Sequence, residues 1–221
     1  MVLDWLVARY PDLLAPDEHH FIATFSSLPR PARALLVRMV MRRGELFRAS
    51  KLNYPEIGPT TRACSALIDT GWVQAQPALN LEQIFALYTK PEIASLFALP
   101  AALAKARKEQ QLQALAEKYP GLSANPANWF GAENAAHDPV YQLQIMPLCE
   151  RLRLMFFGNL HQDWTEFVLS DLGIFQFEKV DLAADARGFQ SRADIEHYLT
   201  LFHIREQWQQ GESIEATLSA L

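Results

Sequence analysis

The residues best suited to chemistry form a short run in which cations alternate with aromatic rings. Its thirteen residues include Arg42, Arg43, Phe47, Arg48, Lys51 and Tyr54. Guanidinium and ammonium groups neutralise phosphates, and an aromatic ring can stack on an unpaired base or pack on a sugar. The run therefore predicts a nucleic-acid-binding surface. The alternative is that both rings are core residues and only the cations face solvent; it is favoured for Phe47 and equally balanced for Tyr54.

The charge around this run differs from that of the rest of the chain. Between Arg30 and Arg62, eight basic residues stand against two acidic ones, a net charge of +6. The whole chain carries −5, so the remainder carries −11. This asymmetry is typical of a polyanion-binding module, although a basic helix paired with acidic neighbours would show it too. The candidate contacts here are Arg38, Arg42, Arg43, Arg48, Lys51, Tyr54, Thr60, Thr61 and Arg62.

A second, smaller basic group consists of Lys105, Arg107 and Lys108. It lies just before or within the start of a predicted helix, where cations are poorly placed for the helix dipole. These three residues are also candidate nucleic-acid contacts. The simpler interpretation is a solvated helix start.

No group of residues in the sequence has the spacing of a catalytic or metal site. The run from Asp17 to His20 offers ligand types, but adjacent helical residues point about 100° apart and cannot close on one ion. We interpret it as a solvated helix start. Neither Cys64 nor Cys149 has a histidine at a useful spacing. Two Pro-Asp pairs would suit a nuclease, but the Glu-x-Lys tripeptide that its later strand requires is absent from the sequence.

The composition is that of a soluble intracellular protein with a packed core. Half of the residues are hydrophobic and 20% are charged. The longest apolar run, Ile93 to Ala104, is interrupted by Ser95 and Pro100 and is too short to cross a bilayer, so no membrane partner is expected. We expect a cytoplasmic location in a bacterium, at the nucleoid when DNA is bound, and a nuclear one in a eukaryote.

The elements that must position the basic run follow the order of a winged-helix-like unit. In the first stretch, Val2–Leu14, a helix is predicted that stops at Pro11. Further helices are predicted at Pro16–Ser27, at Ala32–Arg43 and in a segment that starts at Gly58-Pro59-Thr60-Thr61, capped by Gly58, and ends at Gly71. An extended edge is predicted within Glu45–Leu52, and a strand from Trp72 to Gln76. On the third helix, Arg38 and Arg42 lie opposite the apolar side.

The rest of the chain is predicted to be mostly helical. Short helices are predicted at Leu81–Tyr88 and Pro91–Phe97, and longer ones at Lys108–Tyr119, Val140–Phe157, Asp163–Leu172 and Arg192–Gln210. A strand is predicted at Ile174–Val180. Gly121, Pro126, Gly131 and Pro139 mark a loop-rich linker.

Two stretches resemble the Fanconi-associated nuclease family, the VRR-NUC-containing enzymes of bacteria and eukaryotes. The first is Phe25-Ser26-Ser27-Leu28, Leu35 to Arg43 and the run from Leu46 to Ile57, which contains Phe-Arg-x-Ser-Lys-Leu-x-Tyr-x-Glu-Ile. The second, Leu87 to Glu117, is similar to the family's SAP-type DNA-binding region but lacks a glycine between its helices. Asp171-Leu172-Gly173 to Phe177 and Phe189 to Ile195 match the stretch that leads into the family's helical-repeat domain.

The resemblance implies a mainly α fold with a small β-wing, arranged in four parts. These are residues 1–78, an N-terminal helix plus the winged-helix-like DNA-binding unit; 79–120, a SAP-like DNA-binding unit; 121–139, a linker; and 140–221, a mostly helical region leading into a helical-repeat domain. The family cuts DNA near 5′ flaps in interstrand cross-link repair with Mg²⁺ or Mn²⁺. Its acidic residues lie in a C-terminal VRR-NUC domain that no residue here matches.

The resemblance therefore implies the DNA-binding N-terminal part of a repair nuclease, inactive alone and without a cofactor. Its expected partners are DNA, branched or with a 5′ flap, and the missing helical-repeat and VRR-NUC domains. The alternative is a protein-interaction or dimerisation scaffold with a basic docking face. A transcription regulator would need a dimer and a palindrome, and the sequence indicates neither.

Overall fold

The computed structural model describes residues 2–124, 138–162, 164, 187–209 and 211. The helices are α1 (Val2–Arg9), α2 (Pro16–Ser27), α3 (Arg30–Val40), α4 (Thr60–Asp69), α5 (Leu81–Leu87), α6 (Lys90–Leu96), α7 (Ala101–Lys105), α8 (Lys108–Lys118), α9 (Met146–Phe157) and α10 (Arg192–Gln209). The strands are β1 (Leu46–Arg48), β2 (Val73–Ala75), β3 (Leu79–Asn80), β4 (Ser123–Ala124) and β5 (Val140–Leu143). The expected mainly α fold with a small β-wing is confirmed, and the strands form small antiparallel sheets.

The chain divides into two compact units, one of residues 28–146 and one of residues 1–27 and 147–221. The first contains β1 to β5 together with α3 to α8. It holds every residue that the sequence predicts as a nucleic-acid contact.

Helices α3 and α4 pack together as the centre of the winged-helix-like unit. Helix α3 buries Ala32, Leu35, Leu36 and Met39, a spacing that places them on one face of a helix. Helix α4 buries Ala63, Cys64 and Leu67 against it. The Gly71 amide donates to Ile68 O at 2.9 Å with φ +76°, so glycine permits the left-handed turn that ends the helix.

The wing is a three-stranded antiparallel sheet in the order β1-β5-β2. Phe47 in β1 lies opposite Tyr141 in β5, and Val73 in β2 lies opposite Leu143. The central strand is therefore distant in sequence from both of its neighbours. The chain leaves the sheet after Ala75 and returns to it at Val140. The sheet crosses the predicted boundary after residue 78, because β1 and β2 meet only through β5.

Helices α5 to α8 form the SAP-like unit within this excursion. Its core contains Leu79, Leu81, Ile84, Phe85, Tyr88, Ile93, Leu115 and Val140. Strands β3 and β4 pair at its base. Ala98, between α6 and α7, adopts φ +46°. The connection between α6 and α7 contains no glycine, so an alanine occupies the left-handed region here, at a cost of about 1–2 kcal/mol.

In the other unit, Glu18 is fully buried, so the prediction of a solvated helix start is wrong for this residue. Its carboxylate accepts from Arg151 Nε at 2.7 Å and from Arg192 Nη1 at 2.8 Å. It also accepts from the Ala15 amide at 2.8 Å. Glu18 therefore joins α2 to α9 and α10, as a buried carboxylate requires paired cations.

Several predicted element boundaries are corrected. The helix predicted from Val140 is wrong at its start, because residues 140–143 form β5 and α9 begins at Met146. Helix α1 ends at Arg9, two residues before the predicted stop at Pro11, and Pro59 rather than Gly58 is the N-cap of α4. Helix α7 was not predicted. Of the predicted linker, 125–137 lie outside the described residues, as do 165–172 and 174–180 of two later elements.

None of the helices in the described ranges is long and apolar enough to span a membrane.

Candidate nucleic-acid interface

Two arginines brace the loop that follows β1. Arg42 Nη1 donates to Lys51 O at 3.0 Å and to the Tyr54 hydroxyl at 3.4 Å. Arg38 lies over the Tyr54 ring, 5.5 Å from its centroid, and pairs with Glu56 at 2.7 Å. The structure therefore brings Arg38, Arg42 and Tyr54 together, with both guanidinium groups still exposed.

Phe47 is buried, as favoured from the sequence, and Tyr54 is half-buried. The Arg42 guanidinium lies 5.7 Å from the Phe47 ring centroid. Tyr54 is held at its hydroxyl and on its ring face by the two arginines. In the described structure it therefore positions cations, whereas the sequence also allowed it to meet a base.

Three other predicted contacts in this segment are exposed cations. Arg43 follows α3, because that helix ends at Val40 instead of the predicted Arg43. Lys51 ends a 3₁₀ turn at residues 49–51, and Arg62 lies in the first turn of α4. Within the described part of the chain, none of these three side chains has an ion-pair partner. Their charges are free to meet a polyanion.

The start of α4 supplies backbone donors in the same turn as Arg62. Pro59, its N-cap, makes no side-chain capping bond. Thr60 and Thr61 begin the helix, the first half-buried and the second exposed. A helix start leaves amides without intrahelical partners, which favour phosphate together with the helix dipole.

Arg48 differs from the other predicted contacts because its charge is already paired. Its Nη2 lies 2.7 Å from Glu92 Oε1 and 2.7 Å from Asp138 Oδ2. Its Nε donates to Asp138 at 2.8 Å, and Nη1 donates to Glu92 at 3.0 Å. The guanidinium stacks 4.4 Å from the Tyr88 ring centroid, and the side chain is 11% exposed. All three of its nitrogens are therefore engaged within the protein.

The second basic group lies on the SAP-like unit. Lys105 ends α7 and Arg107 precedes α8, both with exposed side chains. Lys108 is half-buried and donates to Tyr88 O at 2.9 Å, which caps the end of α5. Lys90 Nζ donates to Lys105 O at 3.0 Å and so joins this group. Sequence reasoning missed Lys90, since its proximity depends on the packing of α6 against α7.

The described residues contain no group of three or more histidine, cysteine, aspartate or glutamate side chains that could hold a metal ion. The Mg²⁺ or Mn²⁺ that the resemblance implies does not fit this part of the chain. Burial raises the pKa of the Cys64 thiol to about 11 and that of Cys149 to about 12. Both cysteines are therefore protonated at neutral pH and poor nucleophiles.

Comparison with protein families identifies both DNA-binding units. The FAN1 HTH domain model matches residues 1–74, and the Fanconi anemia-associated nuclease SAP domain model matches residues 78–124. The chain belongs to the Fanconi-associated nuclease family. The resemblance inferred from the two motif stretches is confirmed. The HTH match covers α1 to α4 and the SAP match covers α5 to α8, so each match contains one of the two basic groups.

Relatives within the family match most or all of this chain. A Fanconi-associated nuclease 1 homolog of Pseudomonas aeruginosa is 50% identical over 220 residues, which are 100% of this chain and 39% of the relative. A homolog of Arabidopsis thaliana is 25% identical over 194 residues, 84% of this chain and 22% of the relative. This chain therefore spans about two fifths of the first relative's length.

Solved structures agree in fold as well as in sequence. A crystal structure of paFAN1 bound to 2-nt 5′-flap DNA with a gap matches with a TM-score of 0.91 and 50% identity. The match includes 100% of this chain and 40% of the paFAN1 chain. A second, bound to 1-nt 5′-flap DNA with a gap, matches with a TM-score of 0.89 and 49% identity.

Proposed function

We propose that this chain is the DNA-binding part of a structure-selective nuclease that acts near 5′ flaps. The observation that carries the proposal is the match of this whole chain to 40% of paFAN1, a protein crystallised with 5′-flap DNA. The winged-helix-like surface supplies Arg43, Lys51 and Arg62. The SAP-like surface supplies Lys105 and Arg107, with Lys90 beside them.

The remaining predicted contacts divide by their surroundings. Arg38 and Arg42 are exposed and have donors left for phosphate after bracing the loop. Thr60 and Thr61 offer amides at the start of α4. Lys108 and Arg48 hold other parts of the protein, so we assign neither a DNA contact.

A salt titration tests the proposal. Each phosphate contact on duplex contributes about 0.9 to the slope of log affinity against log salt. The double variant Arg42→Ala, Arg43→Ala should therefore bind more weakly and reduce that slope by about 1 to 2. Glu82→Ala, on the exposed side of α5, controls for substitution at the surface. An unchanged slope in a folded double variant would assign these arginines to structure or to a protein partner.

The preference for a flap separates this proposal from the scaffold alternative. A protein-docking face has no reason to discriminate DNA structures, whereas a flap-directed module should bind gapped 5′-flap DNA more tightly than uninterrupted duplex. Competition between the two DNAs measures the difference. Equal competition by the two DNAs would reject the flap preference, and the salt titration would still test general DNA binding.

The proposal assigns metal-dependent cleavage to domains other than those described here. It also includes the cellular location expected from the sequence.

A further inference from the structure

We infer that Arg48, Glu92 and Asp138 form a latch that holds the winged-helix-like and SAP-like units as one DNA-binding body. This inference rests on the proposed function. It makes Glu92 a positioning residue: an acidic side chain that strengthens DNA binding without touching DNA.

The latch joins three separate stretches of chain. Arg48 ends β1, Glu92 lies in the first turn of α6, and Asp138 precedes β5. Asp138 also accepts from the Ser50 amide at 2.8 Å and from the Ser50 hydroxyl at 2.9 Å. The Arg48–Asp138 pair therefore belongs to the wing, and Glu92 is the ionic link from the wing to the SAP-like unit.

Glu92 is fixed at its own end as well. Its Oε2 accepts from the Thr89 amide at 2.6 Å and from the Thr89 hydroxyl at 2.7 Å. The carboxylate therefore cannot follow a moving arginine without uncapping α6. Beneath it, Tyr88 stacks on the guanidinium from the SAP-like side. Bidentate charge-assisted bonds fix the orientation of two groups as well as their distance. Apolar contacts, such as that of Leu46 with the SAP-like core, restrict orientation less.

This orientation has a consequence for DNA binding. Two basic surfaces on one rigid body act on a single duplex together, and the second contact is then intramolecular. If the units turn independently, the SAP-like cations are lost from the bound state or engage at an entropic cost. Glu92→Leu should then weaken DNA binding. Removal of a negative charge from a DNA-binding protein otherwise strengthens binding, so the two explanations predict opposite signs.

The experiment compares the full chain with Glu92→Leu by salt-dependent titration with gapped 5′-flap DNA. Thr89→Val is the matched control, since it removes a hydroxyl bond to Glu92 and leaves the ion pair. We expect Glu92→Leu to reduce the salt slope by roughly 2 to 3, the contribution of the SAP-like cations, and Thr89→Val to leave it within about 0.5 of the wild type. Tighter binding or an unchanged slope in Glu92→Leu would overturn the latch. Arg48→Met should reproduce the loss, whereas a fall of only about 0.9 would identify Arg48 as a single phosphate contact.

A distance measurement between spin labels tests the latch without DNA. It can be made on any variant that folds, even if the variant is less stable than the wild type. Spin labels at Asp69→Cys, the exposed end of α4, and Glu117→Cys, on the exposed side of α8, report the orientation of the two units. The native cysteines are buried and protonated, which protects them from the label. We expect one narrow distance distribution that broadens in Glu92→Leu. A distribution as narrow as that of the wild type would refute the latch. If the wild-type protein binds no DNA and the distribution still broadens in Glu92→Leu, the proposed function is refuted and the latch is not.

Discussion

Replacement of Glu56 by glutamine should strengthen DNA binding, although Glu56 makes an ion pair in the described structure. Its Oε1 lies 2.7 Å from Arg38 Nη2, and both side chains are 52% exposed. A backbone hydrogen bond and the Arg38 guanidinium hold the pKa of Glu56 below its usual value, so it is ionised at neutral pH. It therefore places a negative charge on the basic surface and occupies an arginine that a phosphate could use.

The exposure of the pair sets the expected magnitude. A solvent-exposed ion pair contributes about 0–1 kcal/mol, so the melting temperature should change little. A carboxylate about 7 Å from a phosphate in water repels it by roughly 0.6 kcal/mol, about a threefold change in affinity. If the released Arg38 neutralises one more phosphate, the salt slope grows in magnitude by about 0.9.

Fluorescence anisotropy with labelled duplex at several salt concentrations measures both quantities. Glu82→Gln is the matched control, because it removes the same charge from an exposed position on the SAP-like unit. The control should alter affinity by less than Glu56→Gln and leave the slope unchanged. Weaker binding by a folded Glu56→Gln protein, or equal gains in both variants, would refute the assignment of this loop to the DNA surface.

Three further predictions concern stability. A fragment of residues 28–146 should fold and show a cooperative melt, whereas residues 1–78 should not, because they lack β5; a cooperative transition in the shorter fragment would contradict this. Ala98→Gly should stabilise the protein by roughly 0.5–1 kcal/mol in urea unfolding, since glycine accepts φ +46° without strain; Ala106→Gly, at φ −62°, should not. Arg48 lowers the pKa of Glu92 from 4.5 to about 2. Because this folded-state pKa is depressed, the stability that the pair supplies is complete above about pH 4.5 and is lost as the pH falls towards 2. The difference in unfolding free energy between wild type and Glu92→Leu should therefore shrink over that interval, and a constant difference would exclude an ionic contribution.

The sequence predicts those elements whose signals are local. A proline and acidic residues at Pro16-Asp17-Glu18 mark the start of α2. Apolar spacing marks α3, and Gly71 marks the end of α4. The basic run and the family motif predict a DNA-binding surface from adjacent residues alone. These features depend on backbone preferences within a few residues, which a single sequence expresses directly.

The features that the sequence does not predict depend on distant partners. Residues 140–143 become a strand because β1 and β2 offer their edges, and nothing nearby in sequence indicates this. Arg48 has the same local appearance as Arg43, yet two carboxylates far along the chain engage it. Glu18 likewise looks like an exposed residue of a first helical turn until Arg151 and Arg192 are placed beside it. Tertiary contacts decide which cations remain available.

The excursion between β2 and β5 means that the two domains of this chain are nested, not consecutive. The Gln76 amide donates to Val140 O at 2.7 Å, so the chain leaves and re-enters the wing at neighbouring points. A hairpin tip of this kind accepts an insertion at little entropic cost to the host, because the two ends of the guest are already side by side. The SAP-like unit therefore has the placement of a module grafted into a pre-existing hairpin, anchored at both of its ends. The strands of the wing therefore set the orientation of the SAP-like unit. A change in the length of either connection would alter that orientation without altering the fold of the SAP-like unit.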